Sequence, residues 1–224
     1  MTIRLQEMHP ALVHLPIAFT PVSIGADMIG SITGDRALFS FGRRTMAVAA
    51  VGAAVSGISG LIAGEEVNVE GESRDMLMTH RNLNFLVALA AGSMAFWRGR
   101  HERPNAAYLA AGVAVTGVLA YTAYLGGKII SEFGAGVAPA KGIYRPDAPA
   151  LGAAPATEFA KEAATDLVHG VEHMVEEVGK GQIVPALVGR PRKRRSSSAR
   201  SSSRANKIDP GTSRPTPGQP SAAE

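Results

Sequence analysis

TMAVAAVGAAVSGISGLIAG, Thr45 to Gly64, holds no charged residue. A helix of this length rises about 30 Å, which is the thickness of a bilayer's hydrocarbon core. A water-soluble helix needs a polar stripe at a 3.6-residue period, and this stretch has no charge from which to build one. Three similar blocks flank it. Ala11 to about Ile32 carries a single charge, Asp27, and the prolines Pro16 and Pro21. Leu83 to Trp97 is uncharged but short, reaching only ~23 Å, so it must borrow His80 to Asn82 or thin the bilayer. Ala106 to Gly127 is again uncharged. The expectation is an all-α protein built on a four-helix transmembrane bundle.

Thr45 to Gly64 also has an internal order. Gly52, Ser56, Gly60 and Gly64 recur at four-residue spacing on one helical face, with Ala53 and Gly57 beside them. Small residues at that spacing let helices approach closely in lipid, where no hydrophobic force pulls them together. This block is therefore expected to be the central packing helix. The first block is expected to be retained as a span. It is longer than a signal-peptide core, contains His14 and Asp27, and is followed by no A-x-A site.

Charge divides the chain. Residues 1–189 hold 14 Lys/Arg and 17 Asp/Glu, and residues 190–224 hold 9 and 2, so the net +4 comes from the C-terminal segment. Between the blocks, residues 33–44 contain Arg36, Arg43 and Arg44, and residues 98–105 contain Arg98, Arg100 and Arg103. Residues 65–79 contain five acids and one arginine, Arg74. The positive-inside rule places the first and third loops in the cytoplasm. The chain is then a multi-pass protein of the cell's inner (plasma) membrane with both termini outside.

Beyond the bundle, expected as residues 1–133, a Gly/Ala/Pro-rich linker covers 134–156. An amphipathic helix follows over 157–180, with Phe159, Ala163, Leu167, Val171, Met174 and Val178 as its apolar stripe. Residues 181–224 are expected to form a disordered basic tail. Arg190 to Lys207 carries eight Lys/Arg and no acid, suited to anionic lipid or a partner protein. No aromatic interleaves those charges, so nucleic acid is not the expected partner.

The chain has no cysteine, which excludes disulfides, c-type haem attachment, Cys-ligated iron–sulfur clusters and zinc ribbons. Histidine and carboxylate remain as strong ligands. HPALVHLPIA, His9 to Ala18, puts His9 at the mouth of the first helix, on the N-terminal side of Pro10, and His14 about one turn inside. His80 opens the third helix. Alternate helices of an up-down bundle run the same way, so His9, His14, His80 and residues 126–136 are expected to converge at one level. Three chemistries suit such a cluster: a b-type haem ligated by His14 and His80, a zinc or copper ion completed by Glu132 or an outer-loop acid, and a proton relay. The fourth possibility is structural, with the imidazoles bonding carbonyls that Pro16 and Pro21 leave free. Asp27 lies ~20 Å further along the first helix. It is an intramembrane acid expected to pair with Arg43 or Arg44, or less simply to carry a proton. His169 and His173 are spaced so that they could hold a metal, but a solvated helix face is the expected reading. GAGV at Gly134 follows no strand and is not a dinucleotide fingerprint. No nucleophile motif or phosphate loop is present, so the residues leave open whether the chain is an enzyme.

The HPALVHLPIA start, the acid near the end of the same helix, the histidine opening the third helix and the Gly126–Gly127 pair closing the fourth resemble a bacterial family. It is the family of small membrane proteins catalogued as domain of unknown function 2231, and the resemblance covers roughly residues 5–138. It implies a four-helix membrane domain, and family members joined to redox modules mildly favour electron transfer with a redox partner protein. The family's Gly-Gly segment usually continues to a His-Gly. Here Phe133 stands at that histidine, so a family ligand there would be missing. The two functions in view are a membrane haem-binding or redox module with its histidines at the outer face, and a non-catalytic membrane scaffold whose tail engages lipid or a partner.

Overall fold

Pro10 sits within the first helical turns, and helix α1 spans Leu5–Leu12. Val13 keeps a helical backbone, so α2 (His14–Thr33) continues almost without interruption. Pro16 and Pro21 lack the N–H groups that would bond the carbonyls of Leu12 and Ile17. Helix α2 stops at Gly34, whose positive φ of 75° lets its N–H close on Gly30 O at 2.8 Å. Asp35 then caps α3 (Arg36–Glu66), its carboxylate accepting from Ala37 N at 2.7 Å. Helix α4 covers Gly71–Arg100, and α5 covers Ala106–Ser131 behind an Asn105 cap. Helix α6 runs Ala156–Gly179, and a single turn, α7, covers Pro185–Val188. Two-residue segments β1 (Ile3–Arg4) and β2 (Ala150–Leu151) pair antiparallel. This computed structural model describes residues 3–134, 150–151 and 155–188, all within one unit, Met1–Pro191.

Helix α2 packs on α3 and α5, α4 packs on α3 and α5, and α3 also meets α1 and α6. Helix α3 is thus the central element, as its small residues imply. A Cβ on Gly52 would lie 2.6 Å from Leu15 Cβ, so only glycine allows α2 this close. Gly64 faces open space and plays no such part. The inner apolar cluster joins Ile24, Met46, Ala49, Met94 and Tyr108. A second joins Met76, Leu125 and Ile129, with Phe133 packed against it. Phe133 is a half-buried packing residue in this chain.

The outer surface of the long helices is apolar as well: Ile29, Val51, Phe96 and Val113 are all more than half exposed. Among the described residues, three helices are long and apolar enough to cross a membrane: Met8–Thr33, Arg36–Glu66 and Ala106–Ser131. Helix α4 is equally long, but its uncharged part is bounded by Arg81 and Arg98.

Helix α6 packs through the face bearing Asp166, Gly170 and Glu177, with Phe159, Ala163, Leu167 and Met174 of its apolar stripe half-buried and Val171 and Val178 exposed. Gly170 turns that face inward because its bare Cα fits against Leu61 O, and Glu177 is drawn to Arg74 and Arg81. Residues 181–188, assigned above to the tail, instead fold onto α4. Asn82 Nδ2 donates to Ile183 O at 2.8 Å, and Ala186 N donates to Thr79 Oγ1 at 2.9 Å. The remainder of the basic tail and most of the linker lie outside the described residues.

Candidate functional site

The convergence expected at one end of the bundle involves His9 and His80, whose ring centroids lie 6.3 Å apart with planes nearly perpendicular. Each ring is seated over a glycine of the neighbouring helix. A Cβ on Gly60 would come within 2.7 Å of His9 Cε1, and one on Gly126 within 2.9 Å of His80 Cε1. The glycines of α3 and α5 therefore form notches that admit the imidazoles.

Both rings are oriented by a backbone carbonyl of that neighbouring helix. His9 Nδ1 is 3.0 Å from Ser56 O, and His80 Nδ1 is 2.8 Å from Thr122 O. A carbonyl only accepts, so each Nδ1 carries the hydrogen and each Nε2 presents a lone pair. Asn84 Nδ2 donates to His80 Nε2 at 3.1 Å, and Thr122 Oγ1 donates to Asn84 Oδ1 at 3.1 Å. His80, Thr122 and Asn84 thus close a polar loop between α4 and α5.

His14 does not join them. It is exposed, with Nδ1 3.2 Å from Ala11 O. Five residues separate His9 from His14, and at about 100° per residue that puts them about 140° apart around the helix. The expected His14–His80 pair is replaced by His9–His80, and neither histidine uses a carbonyl freed by proline. Glu132 is also outside the cluster, exposed and paired with Lys128 at 3.1 Å. Among the described residues no three His, Asp or Glu side chains gather as a metal-binding group. His173 instead meets Glu65 at 3.0 Å, joining α6 to α3.

For haem, the fit divides. His9 and His80 are the residues that would hold it, and Nδ1 anchoring to a carbonyl, which both have, is how ligating histidines are commonly held. Asn84, however, occupies His80 Nε2, and the amide must leave before that nitrogen ligates anything.

At the far end of α2, Asp27 is fully buried and pairs with Arg98, not with Arg43 or Arg44. Gly42 is the α3 residue that faces Asp27, a Cβ there falling 2.6 Å from Asp27 Oδ1, and its neighbours Arg43 and Arg44 point outward. Four of the five Arg98 N–H donors are bonded. Nε donates to Asp27 Oδ2 at 3.0 Å, Nη2 to Asp27 Oδ1 and Phe39 O at 2.9 Å each, and Nη1 to His101 O. Trp97 stacks on His101 and on Tyr108 beside this pair. Arg98 was visible to the same logic that joined His9 to His80, since α2 and α4 run in one direction and end at one level.

In comparisons with known proteins, the family model described as a predicted membrane protein, domain of unknown function 2231, matches residues 6–139. No curated protein and no solved structure matches the chain. The matched stretch contains His9, Asp27, His80, Arg98 and Gly126 and ends just beyond α5.

Proposed function

Because the chain belongs to the membrane-protein family of domain of unknown function 2231, we propose that it is a non-catalytic, four-helix scaffold of the plasma membrane. One observation carries this reading: Asp27 and Arg98 are bonded to each other, and His9 and His80 to backbone carbonyls of the helices beside them. Asp27 holds Arg98, His9 holds Ser56 O, and His80 holds Thr122 O and Asn84. In lipid, such bonds replace the hydrophobic force as the means of holding helices in register. Helix α4 is the fourth span. Its pairing with Asp27 cancels the charge of Arg98, which extends the effectively neutral length beyond Leu83–Trp97. The arginine-bearing loops face the cytoplasm, and the histidine end and both termini face outward.

A second reading, a redox module holding haem b, draws on the two anchored Nδ1 atoms of His9 and His80. Bound haem would supply one-electron transfer at the outer face. The chain's own part would be to present the two Nε2 lone pairs once Asn84 has moved.

An absorption spectrum of protein purified from its native membrane separates the readings. The scaffold gives no Soret band. A Soret band that His9→Ala and His80→Ala each abolish, while His14→Ala preserves it, would overturn the scaffold in favour of haem. Release of the protein by alkaline carbonate would remove both.

A further inference from the structure

Helix α6 is held to the bundle by one side only. Gly170 rests on Leu61 O, His173 meets Glu65, and Glu177 bridges Arg74 and Arg81. Those partners mark a boundary. Glu65 and Glu66 end the apolar length of α3, and Arg81 immediately precedes the uncharged length of α4. Helix α6 is therefore fastened where two long helices change from apolar to charged, the level at which a spanning helix leaves the hydrocarbon.

Away from that attachment, Val168, Val171, Val175 and Val178 recur at spacings of three and four and are all exposed, Val175 at 62%. Helix α3 shows the same pattern in Val48, Val51, Val55 and Ile58, also exposed, just before Leu61 where α6 is attached. In a spanning α3 those residues meet acyl chains, so the valine seam of α6 begins where a lipid-facing surface leaves off. The charge of the helix selects the lipid. Glu158, Glu162, Asp166, Glu172, Glu176 and Glu177 outnumber Lys161 and Lys180. Such a helix is repelled by anionic headgroups and is compatible with zwitterionic ones.

We infer that α6 is an interfacial helix, lying along the bilayer surface at the histidine end with its valine seam among the lipid glycerol and upper acyl groups. This rests on the spanning reading and adds a second, monotopic mode of membrane contact to it.

The chain has no cysteine, so single-cysteine labelling is clean. The full chain is placed in phosphatidylcholine vesicles with an environment-sensitive fluorophore at Val171→Cys, Val175→Cys, Glu162→Cys or Glu176→Cys, and at Val51→Cys as the marker of spanning. The expected result is severalfold stronger quenching by lipids brominated near the glycerol at 171 and 175 than at 162 and 176. Aqueous iodide should show the reverse order, and Val51 should be quenched by lipids brominated deep in the chain. Equal iodide quenching at 171, 175 and 176 would overturn the inference by leaving the seam in water. So would protection of 171 and 175 from iodide and from brominated lipid alike, whether it falls on dilution (a second copy covers the seam) or does not (another segment of the chain does). Absence of deep quenching at Val51 would mark failure of the spanning reading itself, separately from the behaviour of α6.

Discussion

Asp27 and Arg98 are each fully buried and each depend on the other for charge compensation. Removing one partner of such a pair costs about 3–5 kcal/mol, because the remaining charge stays buried alone. Arg98→Ala should therefore lower the midpoint of unfolding in detergent sharply, while the double change Asp27→Leu with Arg98→Leu should recover much of the loss. Equal damage from the single and double changes would show that the pair is not what holds α2 to α4. The histidine notches make a second residue-scale case. Gly60→Ala and Gly126→Ala each push a methyl into an imidazole, an overpacking cost of about 1–3 kcal/mol, whereas Gly57→Ala meets open space. Thermal melts of the three variants check this ordering. The sequence shows the convergence of His9, His80 and Gly126 because helix direction alone brings those positions level. It shows less of which nitrogen bonds what, since Asn84 and Thr122 have no motif. The choice of His9 over His14 follows from helical phase, which spacing along the axis does not contain.

Among the elements, α3 was the most legible and α6 the least. Gly52, Ser56 and Gly60 mark the packed face of α3 because small side chains are what close helix contact requires. On α6, the apolar stripe is in part half-buried, but Gly170 and Glu177 also face the bundle, and hydrophobic periodicity does not announce a glycine or a carboxylate as a contact. Glu177 is the principal attachment, its oxygens shared between the guanidinium groups of Arg74 and Arg81. Glu177→Ala should leave the buried part of Arg81 unpaired and loosen α6. Amide hydrogen exchange across residues 156–179 should then accelerate by roughly tenfold or more, with α5 unchanged, as expected for local rather than global opening. Unchanged exchange in α6 would assign its docking to Gly170 and His173 alone.

For the whole molecule, topology follows from where the arginines lie. Arg98 is neutralised by Asp27, so the third loop's orienting charge rests on Arg100 and Arg103, and the first loop's on Arg36, Arg43 and Arg44. A cysteine at exposed Glu72 should react with an impermeant thiol reagent in intact cells, and one at exposed Glu102 should react only after lysis. The opposite pattern would place the histidines and α6 on the cytoplasmic side. The general architecture of long uncharged helices was plain from the sequence, because the bilayer imposes a length and a composition that few other environments demand. The docking of residues 181–188 was not, since their Gln182, Ile183 and Ala186 contribute backbone groups to the contact and no side-chain pattern announces it.

The Asp27–Arg98 pair also imposes a timetable on biogenesis. The two residues are 71 positions apart in the chain. At ribosomal rates of about 5–20 residues per second, Asp27 precedes its partner by about 4–14 s. Throughout that interval α2 carries a carboxylate with no guanidinium to meet it, so α2 and α3 can enter the bilayer only as a provisional hairpin. They must be retained by the insertion machinery, or remain able to slip, until α4 emerges and locks them.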